Sequence, residues 1–78
     1  QEIVIFPNPA RNLVTIDHLA PKRVSQIRLF DTNGKLILQK VVDRTSLSLN
    51  INQLPQGIYT LQILGKEKVF SKKIAIID

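Results

Sequence analysis

Cysteine, methionine and tryptophan are absent from the sequence, and histidine and tyrosine occur once each. Without cysteine, neither a disulfide framework nor a thiolate metal site can form. His18 alone cannot assemble a histidine-rich metal site. No apolar run approaches the ~20 residues that a membrane helix needs, and no basic-then-apolar leader opens the chain. A soluble piece with no direct membrane insertion is therefore expected. The chain begins at Gln1 and has no methionine, which points to a piece excised from a longer polypeptide. Its 78 residues leave room for one domain and one core, held by apolar packing and a hydrogen-bonded sheet.

Catalytic groups are equally sparse. The carboxylates Glu2, Asp17, Asp31, Asp43, Glu67 and Asp78 fall mostly beside expected turns or termini, and no two are placed as an acid/base pair. His18 lies in a loop after Ile16, no serine sits in a nucleophile motif, and no glycine-rich phosphate loop occurs. So small a core leaves no room for a drug-sized pocket. The expectation is a protein that is not an enzyme and takes no cofactor and no metal.

Eleven Lys and Arg against six Asp and Glu give a formal net charge of +5, which favours solubility and weak attraction to acidic polymers or lipid head groups. The one dense cluster is Lys66, Lys68, Lys72 and Lys73, and the only aromatic residue among them is Phe70. That lacks the interleaved aromatics of a base-stacking platform, so no nucleic acid partner is expected.

What the chain does have is two-residue alternation. Across residues 46–51, Leu47, Leu49 and Ile51 share one face, while Ser46, Ser48 and Asn50 share the other. Residues 13–17 point Val14 and Ile16 one way; 25–30 point Ile27 and Leu29 inward; 59–64 line up Tyr59, Leu61 and Ile63. Residues 2–6, 35–41 and 69–77 complete the set of expected strands. The 25–30 and 35–41 runs are joined across Asp31-Thr32-Asn33-Gly34, where Gly34 is available for a positive φ. No stretch holds a helical period; the best candidate, residues 21–26, is too short. The fold class is therefore all-β, an immunoglobulin-like sandwich of about seven antiparallel strands.

Three punctuated segments stand out. Pro7-Asn8-Pro9 must stop the first strand, because both prolines fix φ and withdraw donors, and it reads as a rigid corner between sheets. In Leu54-Pro55-Gln56-Gly57-Ile58-Tyr59, Leu54 can plug the sandwich end and Gly57 supplies either a positive φ or a close backbone approach. Tyr59 then stands where such sandwiches often carry a tyrosine corner. Lys72-Lys73-Ile74-Ala75-Ile76 closes the chain, and parity puts Lys72 on the face of Ile74 and Ile76. Either a bulge resets the register there, or Lys72 lies at the rim and snorkels outward. Physics alone balances edge protection against receptor recognition for these lysines.

Taken together, Ile5-Phe6-Pro7-Asn8-Pro9-Ala10, Leu29 to Lys35, Leu54 to Tyr59 and Lys72-Lys73-Ile74 resemble the type A C-terminal sorting domain of type IX secretion (the Por secretion system), found in Bacteroidetes. The resemblance runs from Phe6 to Ile76. It implies a single C-terminal domain, residues 1–78, at the end of a larger secreted precursor. Members are carried across the outer membrane because a translocon recognises the domain. A sortase-like protease often removes it and attaches the cargo, which lies N-terminal to the domain, to the cell surface. Matched by position, the motif and recognition candidates are Pro7, Asn8, Pro9, Gly34, Gly57, Tyr59, Lys72, Lys73, Ile74 and Ile76. Phe6 stands where tyrosine is commoner, and Ile77-Asp78 ends the chain where many members have a neutral or basic residue. The cleavage site would fall at or before Gln1.

The competing class is a generic immunoglobulin- or fibronectin-like accessory module that binds protein or carbohydrate at the cell surface. Three Phe, one Tyr assigned inward and no Trp argue against a sugar site.

Overall fold

The alternating runs form seven strands: β1 (Val4–Phe6), β2 (Leu13–Asp17), β3 (Val24–Phe30), β4 (Leu36–Val41), β5 (Leu47–Asn50), β6 (Gly57–Gly65) and β7 (Val69–Ile76). The computed structural model describes residues 2–77, and none of these lies in a helix. The expectations placed on Gln1 and Asp78 lie outside the described residues. Of residues 21–26, the best helical candidate, 21–23 form a turn in which the Arg23 and Val24 amides both donate to the Ala20 carbonyl, and 24–26 open β3.

Two antiparallel sheets face each other, one ordered β1-β2-β5 and the other β4-β3-β6-β7. The inward rows are those set by parity. Val14, Ile16, Leu49 and Ile51 come from one side; Ile27, Leu29, Leu61, Ile63, Ile74 and Ile76 come from the other; all are essentially inaccessible to solvent. Each such aliphatic side chain contributes about 1.5–3 kcal/mol relative to an exposed one. No polar or charged side chain is buried among the described residues, so no part of that gain is spent on desolvating a charge.

Local chemistry sets the connections. Asp31 organises the β3–β4 hairpin, its carboxylate accepting from the Asn33 and Lys35 amides at 2.9 Å each. Gly34 then adopts φ +84°, the left-handed region expected of it. The β6–β7 turn relies on a different property of glycine. A Cβ on Gly65 would come within 2.9 Å of the Lys68 carbonyl and 3.1 Å of the Arg23 carbonyl, so only a bare backbone fits. His18, expected merely to be solvated, is exposed at φ 62°. Its Nδ1 lies 3.1 Å from the Glu2 carbonyl, which can only accept, so Nδ1 carries the proton.

Candidate functional site

The recognition candidates converge on β7. After β1 the chain leaves the first sheet through Pro7-Asn8-Pro9 and runs along the edge of the second. There Ala10 forms a parallel bridge with Ile76, its amide donating to the Ala75 carbonyl at 2.8 Å while its carbonyl accepts from the Ile77 amide at 2.9 Å. Asn8 adds a side-chain grip. Its Oδ1 accepts from the Ala75 amide at 3.1 Å, and its Nδ2 donates to the Lys73 carbonyl at 3.4 Å. The proline corner is therefore a clamp on the closing strand, 65 residues away along the chain. An asparagine locked between prolines at a strand end offers one donor and one acceptor together, which is the signal for such a clamp. Sequence alone does not name its partner.

Gly57 and Tyr59 reach β7 from its other side, because β6 pairs Gly57 with Ile76 and Tyr59 with Ile74. The Tyr59 hydroxyl donates to the Pro55 carbonyl at 2.6 Å and the residue is only 6% exposed, so the tyrosine corner is formed. Gly57 has φ +157°, and a Cβ there would make only an ordinary 3.9 Å contact with the Tyr59 ring. Leu54 packs partly buried against the core, as expected of a plug. Gly34 stands apart from β7, although the Thr32 hydroxyl of its hairpin donates to the Ile58 carbonyl at 2.9 Å and leans on the start of β6.

The β6–β7 register runs without interruption from Gly57↔Ile76 to Leu64↔Val69, so no bulge resets Lys72. Lys72 pairs with Leu61 on the inward face and is nonetheless exposed. β7 is the edge strand of its sheet, and at the level of Lys72 its inward side chain reaches solvent at the rim. Lys73 points to the opposite face and is also exposed, while Ile74 and Ile76 are 1% and 2% exposed. The strand thus has two isoleucine anchors and two lysine heads in solvent.

Outside the core, the rim of the sandwich holds an open space. An open cleft of about 800 Å³ lies beside the β6–β7 turn and the segment before β1, lined by Ile3, Val24, Ile63 and Phe70, with Glu2, Lys66, Glu67 and Lys68 at its margin. The expectation of no drug-sized pocket considered space inside the core, whereas this space opens at the rim. Among the described residues no three His, Cys, Asp or Glu gather to hold a metal ion.

Comparison with known proteins gives a consistent picture. The family described as "Secretion system C-terminal sorting domain" matches residues 4–77. No curated protein matches the chain. Among solved structures, PorZ, an essential surface component of the type IX secretion system of Porphyromonas gingivalis, superposes with a TM-score of 0.82 at 24% identity, over 97% of this chain and 11% of PorZ. A DUF3244 protein of Bacteroides vulgatus with an immunoglobulin-like β-sandwich fold gives 0.78 at 20% identity, covering 94% of this chain and 82% of that one. The structure of the CBM51-2 and INT domains of Clostridium perfringens ZmpB gives 0.61 at 20% identity, over 87% of this chain and 19% of that one. At these identities the structural likenesses establish the fold, which is the immunoglobulin-like sandwich.

Proposed function

The chain belongs to the family of secretion system C-terminal sorting domains, the sorting signal of type IX secretion, and from that premise we propose how the signal is read. As such a domain it interacts with the type IX secretion system and directs its cargo across the outer membrane. In our reading the outer-membrane translocon takes hold of β7. A sortase-like protease then removes the domain and leaves the cargo at the cell surface. The domain is the substrate of that protease and performs no catalysis itself.

The observation that carries this reading is the convergence on β7. Pro7-Asn8-Pro9 clamps one edge and the Gly57–Tyr59 segment pairs along the other. Between them Ile74 and Ile76 anchor the strand in the core while Lys72 and Lys73 stand in solvent. Motifs scattered through the sequence thus serve to present one strand in one register. The anchors supply rigidity, and the lysine heads supply charge for a receptor to meet.

The test is Lys72→Ala combined with Lys73→Ala in a passenger fusion. Both heads are solvent-exposed, so the melting curve should stay within about 0.5 kcal/mol of the parent. Export of the passenger to the surface and medium should fall, with accumulation in the periplasm. A double variant that folds and exports fully would reduce the lysines to edge protection.

A further inference from the structure

In an antiparallel pair, residues alternate between bonding to the partner strand and pointing both backbone groups away from it. Ala75 points away from β6, since its amide and carbonyl are taken by Asn8 and Ala10. By alternation Lys73, Ser71 and Val69 point away as well. Asn8 takes the Lys73 carbonyl. The Lys73 amide and both groups of Ser71 and Val69 have no partner among the described residues. β1 does not supply one, because it pairs with β2 in the other sheet. Below the clamp, β7 is an open sheet edge bounded by the Gly65–Lys68 turn at one end and Asn8 at the other.

The open stretch has a cleft beside it. Phe70, 45% exposed, faces inward at this level and lines the rim cleft with Ile3, Val24 and Ile63. A strand laid along the edge would therefore send alternate side chains into apolar space and the others out beside Ser71 and Lys73. The charge around this stretch is positive on balance, since Arg23, Lys66, Lys68, Lys72 and Lys73 stand against Glu2 and Glu67. We propose that residues 69–73 accept an extended segment of a partner protein as a fifth strand of the β4-β3-β6-β7 sheet, its residues alternating between apolar and acidic. This rests on the export reading for the partner's place, a component of the secretion machinery, and on the geometry for its chemistry. Main-chain bonds would give the affinity, with the cleft and the lysines giving the selection. A second copy of the same edge is disfavoured, because pairing two copies about Ser71 brings two lysine-rich strands together with Lys72 diagonal to its counterpart and no carboxylate in residues 69–73 to offset them.

The probe is a capped peptide of alternating valine and glutamate, titrated into the isotope-labelled domain, with a valine–lysine peptide as control. The glutamate peptide should shift the amide signals of Val69, Ser71 and Lys73 and slow their exchange with solvent. It should bind at least about tenfold more tightly than the lysine peptide, a margin that shrinks with added salt. Ser71→Pro deletes an outward donor while sparing the bonds to β6, which are made by Phe70 and Lys72. It should keep the fold and lose the peptide. Should Ser71→Pro fail to fold, the exchange data on the unaltered domain decide the matter. Absence of shifts at these three amides, equal binding of both peptides, or dimerisation of the domain through this edge would overturn the proposal. In a passenger fusion, a folded Ser71→Pro domain should lose export. Full export by that variant would remove the edge from the export step yet leave the sorting assignment standing.

Discussion

Replacing Tyr59 separates what its ring does from what its hydroxyl does. The ring is 6% exposed and its strand neighbour Ile74 is 1% exposed, so Tyr59→Ala leaves a ring-sized void against a core that is otherwise aliphatic. Large-to-small changes of this kind cost about 3–5 kcal/mol. Tyr59→Phe keeps the ring and removes only the 2.6 Å bond to the Pro55 carbonyl. Pro55 is itself exposed, so water can take over its carbonyl, and the cost should be about 1 kcal/mol. For a domain of this size that difference lowers the melting temperature by about 4–8 °C. The alanine variant is more severe, because a chain of 78 residues has a total stability of only about 4–12 kcal/mol. Urea unfolding followed by far-ultraviolet circular dichroism, with an osmolyte present for the weaker variant, measures both. Equal destabilisation by the two substitutions would refute the division between ring and hydroxyl. So would a neutral Tyr59→Ala.

Two further substitutions probe the features that hold β7 and its turn. Asn8→Ala should cost about 1 kcal/mol, since water can replace the lost bonds at an exposed edge. Its signature is faster hydrogen exchange at the Ala75 amide with the core amides unchanged; an unaltered Ala75 amide would contradict the clamp. Gly65→Ala should cost about 1–3 kcal/mol in a urea melt, because its Cβ meets two backbone carbonyls that cannot easily move. A loss below about 0.5 kcal/mol, the usual range for an unencumbered surface change, would show that the turn has room.

The strands were legible because period-two alternation is a local property. Val14 and Ile16, Ile27 and Leu29, and Leu61 and Ile63 all turned inward as their spacing demanded. The Gly34 hairpin and the Tyr59 corner were legible for a similar reason, as each needs a particular residue type at one position. Partners brought together by long-range pairing were not legible. Nothing near Asn8 indicates that it will bond to Ala75, and nothing near Ala10 indicates that it will be fully buried against the last strand. Lys72 shows the limit most clearly. Its parity gave two alternatives, and the choice depended on an unbroken register with β6 and on β7's place at the sheet edge, which no single strand encodes. The close approach of Gly65 to Arg23 involves a carbonyl from the segment leading into β3 and becomes visible only once the strands are paired. The cleft beside Phe70 likewise joins residues from distant segments, Ile3, Val24 and Ile63.

The central claim is that this domain is a sufficient address for type IX export. The direct measurement joins a signal peptide, a folded reporter enzyme and residues 1–78, and follows reporter activity in a type IX-competent cell and in a strain lacking the translocon. The account predicts reporter activity at the surface or in the medium of the competent cell and periplasmic retention in the deficient strain. Retention in both strains, with the domain shown to be folded, would contradict it.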